Sequence, residues 1–363
     1  MDETQNDLTT LQRELYASPQ LPGTEEFASL VIADFLYSYG CKSGSASAGQ
    51  GGIEVSIGSG PVAATFHSEL SGVSVDDRDH TEGSVHKGSS HMKGNDVNCT
   101  WLVGLAIGLT RQPLEYGTIR IVFASDVATV RDAGLRDPHS HPTIAARCDR
   151  ERSVGMIGIR QGIVGPESHV FCVRLANPTE GAAVDSAGRL IVSLSRSGRE
   201  IFKSWSASLR MLGIHTTDDG REAAVRFSVD YDNSDGSRLN NPYSRIALMV
   251  GTLMQGLGST WNLTEEGVFA SVTNDTALAA LIRDVARQTA GVSEVYDFGY
   301  GVFDDAFVHL RSSGRAVVKL GVRPQKTLTE ISELDSSYVD EAAIPLGVGF
   351  LRSVADKFEL SKS

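Results

Sequence analysis

The sequence predicts an α/β fold: an open mixed sheet flanked by helices, with a smaller ferredoxin-like βαββαβ domain inserted into it. Three observations predict it. Helices of apolar period alternate with buried strands through the first part of the chain. From about Ser168 the order becomes strand, helix, strand, strand, helix, strand. After that run, "NDTALAALIRDVARQTAG" resumes a helix with an Asn/Asp start and a Gly stop. The implied division is residues 1–167 with 272–363 as one domain, and 168–271 as the insertion.

Each element has its own justification. "LTTLQRELYAS" carries helical spacing, and "FASLVIADFLYSYG" continues it up to Gly40. "GIEVSIGSGPVAATFHSEL" reads as two strands around a Gly-Ser-Gly-Pro turn. "TWLVGLAIGL" is a buried helix, and "GTIRIVFASD" a buried strand, apolar at alternate positions and then continuously. In the insertion, "HVFCVRLA", "AAVRFSVDYD" and "STWNLTEEG" are strands. "SAGRLIVSLSRSGREIFKSWSASL" is helical in part, and "SRIALMVGTLMQGLG" is an amphipathic helix with apolar surface for a partner as well as for its own sheet.

Bulk properties exclude several function classes. A net charge of −12 and a pI near 5.2 argue against a nucleic-acid or anionic-membrane partner, since both need clustered Lys and Arg. The apolar stretches 101–109 and 342–351 are too short to span a bilayer. The start "MDETQNDLTT" is acidic and unlike a signal peptide. Cys41, Cys99, Cys148 and Cys172 form no C-x-x-C pair, so reduced thiols in a cytoplasmic chain are expected.

The chemistry-bearing stretch is "GSSHMKGNDVNC", a polar glycine-bearing loop running straight into the buried helix. Helix N-termini present unpaired N–H groups and partial positive charge, a common setting for a site. His67 and Glu69 in "TFHSEL" stand at i and i+2 on a strand, so they share a face and can pair as a general acid and base. His91 and Lys93 are catalytic or substrate-binding candidates in the loop. Asn95, Asp96 and Asn98 suit ligand hydrogen bonds or helix capping. Cys99 opens the apolar run and reads as core.

The whole chain resembles the di-zinc amidohydrolases that include aminoacylases, hippurate hydrolases and hydrolases of indole-acetyl-amino acids. The motifs that carry the resemblance are "LQRELYASPQLPGTEEFASLVIADFLYSYGC", "VGMIGIRQGIVGP", "TNDTALAALIRDVA" and "DEAAIPLGVGFL", in that order. It implies a zinc-peptidase-like sheet, with the insertion acting as lid and dimerisation domain. It also implies two metals about 3.5 Å apart with a carboxylate base.

The ligand pattern departs from the resemblance. Where the family runs H-A-C-G-H-D-x-H, this chain reads His91, Met92, Lys93, Gly94, Asn95, Asp96, Val97, Asn98. The carboxypeptidase-like register, S-D-M-K-G, places His91 at the bridging Asp instead. The Glu-Glu pair after "GTIRIVF" becomes a stretch offering Asp126 alone. A later ligand His falls near Arg147 and Cys148. The late G-G-E-D-F becomes "GVFDDAF", which leaves Asp304 and Asp305 beside Phe303, and the last ligand falls near Glu333. The lid histidine has no counterpart in "NPTEGAAVD", and the carboxylate-clamping arginine becomes Asp230. An ammonium cannot ligate while charged, and an amide oxygen replaces imidazole poorly.

The expectation is therefore a site with no metal and no cofactor. His67, Glu69, His91 and Lys93 are its catalytic candidates; Asn95, Asp96, Asn98, Asp126, Asp304 and Glu333 are its substrate-binding candidates. The expected function is a repurposed, metal-independent enzyme acting on an amide, acyl-amino-acid or related small molecule. A non-catalytic binding protein and a zinc hydrolase with rearranged ligands are the alternatives. The expected partners are a small-molecule substrate and a second copy docked through the inserted domain.

Overall fold

The structure is a computed structural model. It describes residues 3–21, 23–45, 52–74, 89–91, 94–124, 141–165, 167–204, 207–231, 241–269, 271–298, 314–324 and 338–360. Two compact units result. The first is built from the chain up to Gly162 and again from Thr273, and the second lies within Ile163–Val272.

The first unit opens with helices α1 (Glu3–Ala17) and α2 (Glu26–Ser38). Strands β1 (Ser43–Ser45), β2 (Gly52–Ser59) and β3 (Val62–Glu69) precede helix α3 (Asn95–Arg111). Strands β4 (Gly117–Ala124), β5 (Thr143–Ser153) and β6 (Met156–Gly158) follow. The eight-stranded sheet is completed, after the second unit, by Glu294–Tyr296 and Arg315–Arg323. The glycine turn between β2 and β3 does not close a hairpin. β4 lies between the two strands, antiparallel to β2 and parallel to β3. β3 also pairs in parallel with β5, so it is interior and buried along nearly its full length.

Helix α3 explains the core. It is apolar on every side, and its residues from Asn95 through Ile107 are all buried. One side meets the sheet; the others meet α1, α2 and the late helix Ala343–Ala355. Trp101 is fully buried and donates its indole N–H to the Ala343 carbonyl at 2.9 Å. Gly347 makes that approach possible, since a Cβ there would lie 2.3 Å from Trp101 Nε1.

The second unit runs strand β7 (Glu167–Ala176), helix α4 (Ala182–Ser204), strands β8 (Ala207–Thr216) and β9 (Glu222–Tyr231), helix α5 (Pro242–Met254) and strand β10 (Thr260–Phe269). Its antiparallel sheet is ordered β8-β9-β7-β10, the ferredoxin-like arrangement. Phe171, Val173, Val225 and Phe227 on one face pack with Leu190, Leu194, Ile246 and Val250 from the helices. α5 starts on Asn241, whose side chain accepts the Ser244 N–H at 3.1 Å, with Pro242 in the first turn. Among the described residues, no helix is long and apolar enough to cross a membrane.

Two glycines on the late helix give opposite expectations. Gly349 has nothing near its Cβ position, so Gly349→Ala should stabilise by about 0.5–1 kcal/mol through helix propensity. For Gly347→Ala the clash with Trp101 outweighs that gain, with a net loss of about 1–3 kcal/mol. Urea denaturation of both variants measures the difference; equal effects would contradict the close packing.

Candidate active site

His67 and Glu69 stand at the carboxyl end of β3, where open α/β sheets place their ligand crevices. Parallel pairing puts His67 beside Val122 and Ala145, and Glu69 beside Ala124. The first turn of α3 faces this strand end, because burial of the apolar helix leaves its polar start nowhere else to go. His67, His91, Asn95, Asp96 and Asn98 are all buried, and Glu69 nearly so.

Buried polar groups need partners, and the described contacts fall into two sets, one around Glu69 and Asn95 and one around Asp96. Asn95 donates its amide N–H to the Ser71 carbonyl at 2.7 Å and, more weakly, to Glu69 Oε2 at 3.5 Å. Asn98 donates to Asn95 Oδ1 at 3.2 Å and accepts the Cys148 backbone N–H at 2.8 Å. Arg147 Nη2 donates to Glu69 Oε1 at 3.5 Å. Asp96 accepts from Gln12 Nε2 at 2.6 Å, and Arg150 Nη2 stands 3.9 Å from its second oxygen. The same Arg150 nitrogen donates to the His91 carbonyl at 3.1 Å.

The structure separates binding from capping in the α3 turn. The N-cap is Gly94, with φ 77°, and it makes no side-chain cap hydrogen bond. Asn95, Asp96 and Asn98 are therefore not caps; their side chains reach sideways into β3, α1 and β5. Gly94 is required twice over, by its left-handed backbone and by contact: a Cβ there would lie 2.5 Å from Cys148 Cβ. Lys93, Asp126, Asp304 and Glu333 lie outside the described residues, as do Asp305 and Phe303.

Gln12, Arg147 and Arg150 enter the site without having been singled out from sequence as functional. The arginines had a legible signal: "TIAARCDRERS" places guanidinium groups inside a strand of the central sheet. Gln12 had none, since it reads as one more polar residue on an amphipathic helix.

Protonation follows burial here. Desolvation pushes the His91 imidazole below its ordinary value, Asp96 pulls it back up, and Arg150 adds to the lowering. Burial pushes the Cys99 and Cys148 thiols up to about 12, which makes both poor nucleophiles. Cys99 packs against β3, within 3.2 Å of the Glu69 carbonyl. Among the described residues no three His, Cys, Asp or Glu side chains converge as a metal-binding group.

By sequence, no family model and no curated protein matches the chain. By structure the likeness spans nearly all of it. The YXEP protein of Bacillus subtilis, a dinuclear metal-binding peptidase of the M20 family, is 15% identical at a TM-score of 0.70, over 99% of both chains. An aminobenzoyl-glutamate utilization protein from Klebsiella pneumoniae is 14% identical at a TM-score of 0.66, over 98% of this chain and 97% of its own. A hydantoinase/carbamoylase family amidase from Burkholderia ambifaria is 10% identical at 0.59, over 99% and 98%. The chain thus has the fold of M20 peptidases and related amidases, as its motif order implies.

Two measurements test the electrostatics. His91 is held neutral in the fold, whereas an unfolded histidine takes up a proton near pH 6.5. Acid therefore favours the unfolded chain: stability is complete above that pH and falls as pH drops through it. The urea midpoint should decrease from pH 7.5 to 5.5, and less steeply in His91→Gln; parallel slopes would refute the assignment. Iodoacetamide at pH 8 should leave Cys99 and Cys148 unmodified in the native protein and label both after denaturation, read by peptide mass spectrometry.

Proposed function

We propose that this chain is an amide-processing enzyme that works without a metal pair, acting on an amide, acyl-amino-acid or related small molecule. The donor chemistry at the strand end carries this reading. Asn98 uses its carboxamide oxygen for a backbone N–H, and Asn95 donates rather than ligates. A guanidinium, which has no lone pair to offer a metal, stands against Glu69. These described contacts support the reading that no metal pair is used.

His67 and Glu69 are the acid–base candidates, at the end of an interior parallel strand. In this reading one moves a proton to or from the reacting amide and the other holds charge near it, which suits acyl transfer, amide formation or cyclisation. The solved relatives' names support the substrate class: they include a peptidase, an amidase and an aminobenzoyl-glutamate utilization protein.

The test is elemental analysis of the purified protein, combined with a turnover screen on N-acyl amino acids and related amides before and after chelation. The expected result is less than one equivalent of zinc and turnover that chelator leaves unchanged. His67→Ala or Glu69→Gln should then lower kcat by about 100-fold or more. Two equivalents of zinc with chelator-sensitive turnover would overturn the reading. Tight binding of these amides without turnover would assign the chain as a binding protein instead.

A further inference from the structure

We infer that Arg147 and Arg150 are positioning residues that supply, from within the chain, the positive charge a metal pair would bring to this floor. The inference deepens the metal-independent reading and rests on it for the claim that no ion provides the counter-charge.

The argument starts from two carboxylates. Asp96 is 1% exposed and Glu69 8% exposed, and the first unit holds both at one strand end. A buried carboxylate left without a cation is strongly destabilising. β5 answers both. Arg147 Nη2 lies 3.5 Å from Glu69 Oε1, and Arg150 Nη2 lies 3.9 Å from Asp96 Oδ1. Both guanidinium groups are themselves largely shielded, at 13% side-chain exposure.

The strand that carries them is pinned from both sides. The Cys148 N–H donates to Asn98 on α3, and the Arg150 carbonyl accepts Arg323 Nε at 2.8 Å. Arg150 also donates to the His91 carbonyl, so the same side chain orders the loop ahead of α3. Arginine suits the task better than lysine: it stays charged when buried, and its planar fork serves several acceptors at once.

A guanidinium stabilises anionic oxygen but has no open coordination position at which to generate hydroxide. In this reading Arg147 and Arg150 hold Glu69 and Asp96 in place, and the proton transfer is left to His67.

Double-mutant cycles on chelator-treated, full-length protein test this. Arg147→Met should lower the folding equilibrium constant about tenfold or more. Arg147→Met with Glu69→Gln should recover most of that loss, because the stranded charge is gone. Arg147→Lys should retain more stability than Arg147→Met. Arg150→Met with Asp96→Asn forms the second cycle and covers the case in which one variant does not fold. Additive losses in both cycles, or equal losses for Lys and Met at position 147, would show that the arginines merely fill space and would overturn the inference. The zinc content of the same preparation judges the functional reading separately: metal-replete protein with strong coupling sinks that reading and not the pairing.

Discussion

The constraint on which the first unit's site depends is electrostatic: carboxylates buried at the end of an interior strand need a counter-charge beside them. Asp96 and Glu69 stand where the sheet and α3 exclude solvent, and the nearest described cations are Arg147 and Arg150 on the neighbouring strand. That pairing places β5 against the first turn of α3, and the Asn98–Cys148 hydrogen bond completes the junction. Gly94 permits the approach because no side chain intervenes between the loop and the Cys148 thiol.

Much of the remaining architecture follows from α3. A helix apolar on all sides must be surrounded, and the sheet, α1, α2 and the late helix surround it. Its polar first turn is then delivered to the strand end with little freedom. Gln12 shows how far this reaches: a residue in the first helix of the chain becomes a partner of Asp96 because both helices pack on one core. Polar groups so enclosed have to satisfy one another.

Fold and chemistry are separate questions at this point. The likeness to M20 peptidases and amidases spans the chain end to end at 10–15% identity, and a likeness of that kind speaks for the fold alone. In this chain the end of β3 holds guanidinium, carboxamide and carboxylate groups. The surrounding helices and sheet register bear on the first question; side-chain donors and acceptors bear on the second.

The sequence by itself determined the elements and their layering. Apolar period marked α1, α2 and α3, continuous apolar runs marked the interior strands, and the change of order after Ser168 marked the ferredoxin-like insertion. It also pointed to His67, Glu69, His91, Asn95, Asp96 and Asn98, since each sits in or beside a motif with local meaning. Only the tertiary structure decided that β4 separates β2 from β3, that the α3 amides are not caps, and that Arg147, Arg150 and Gln12 enter the site. The physical reason is range. Periodicity and turn chemistry act between residues a few positions apart, whereas the counter-charge for a buried carboxylate comes from whichever strand or helix the packed core brings alongside it.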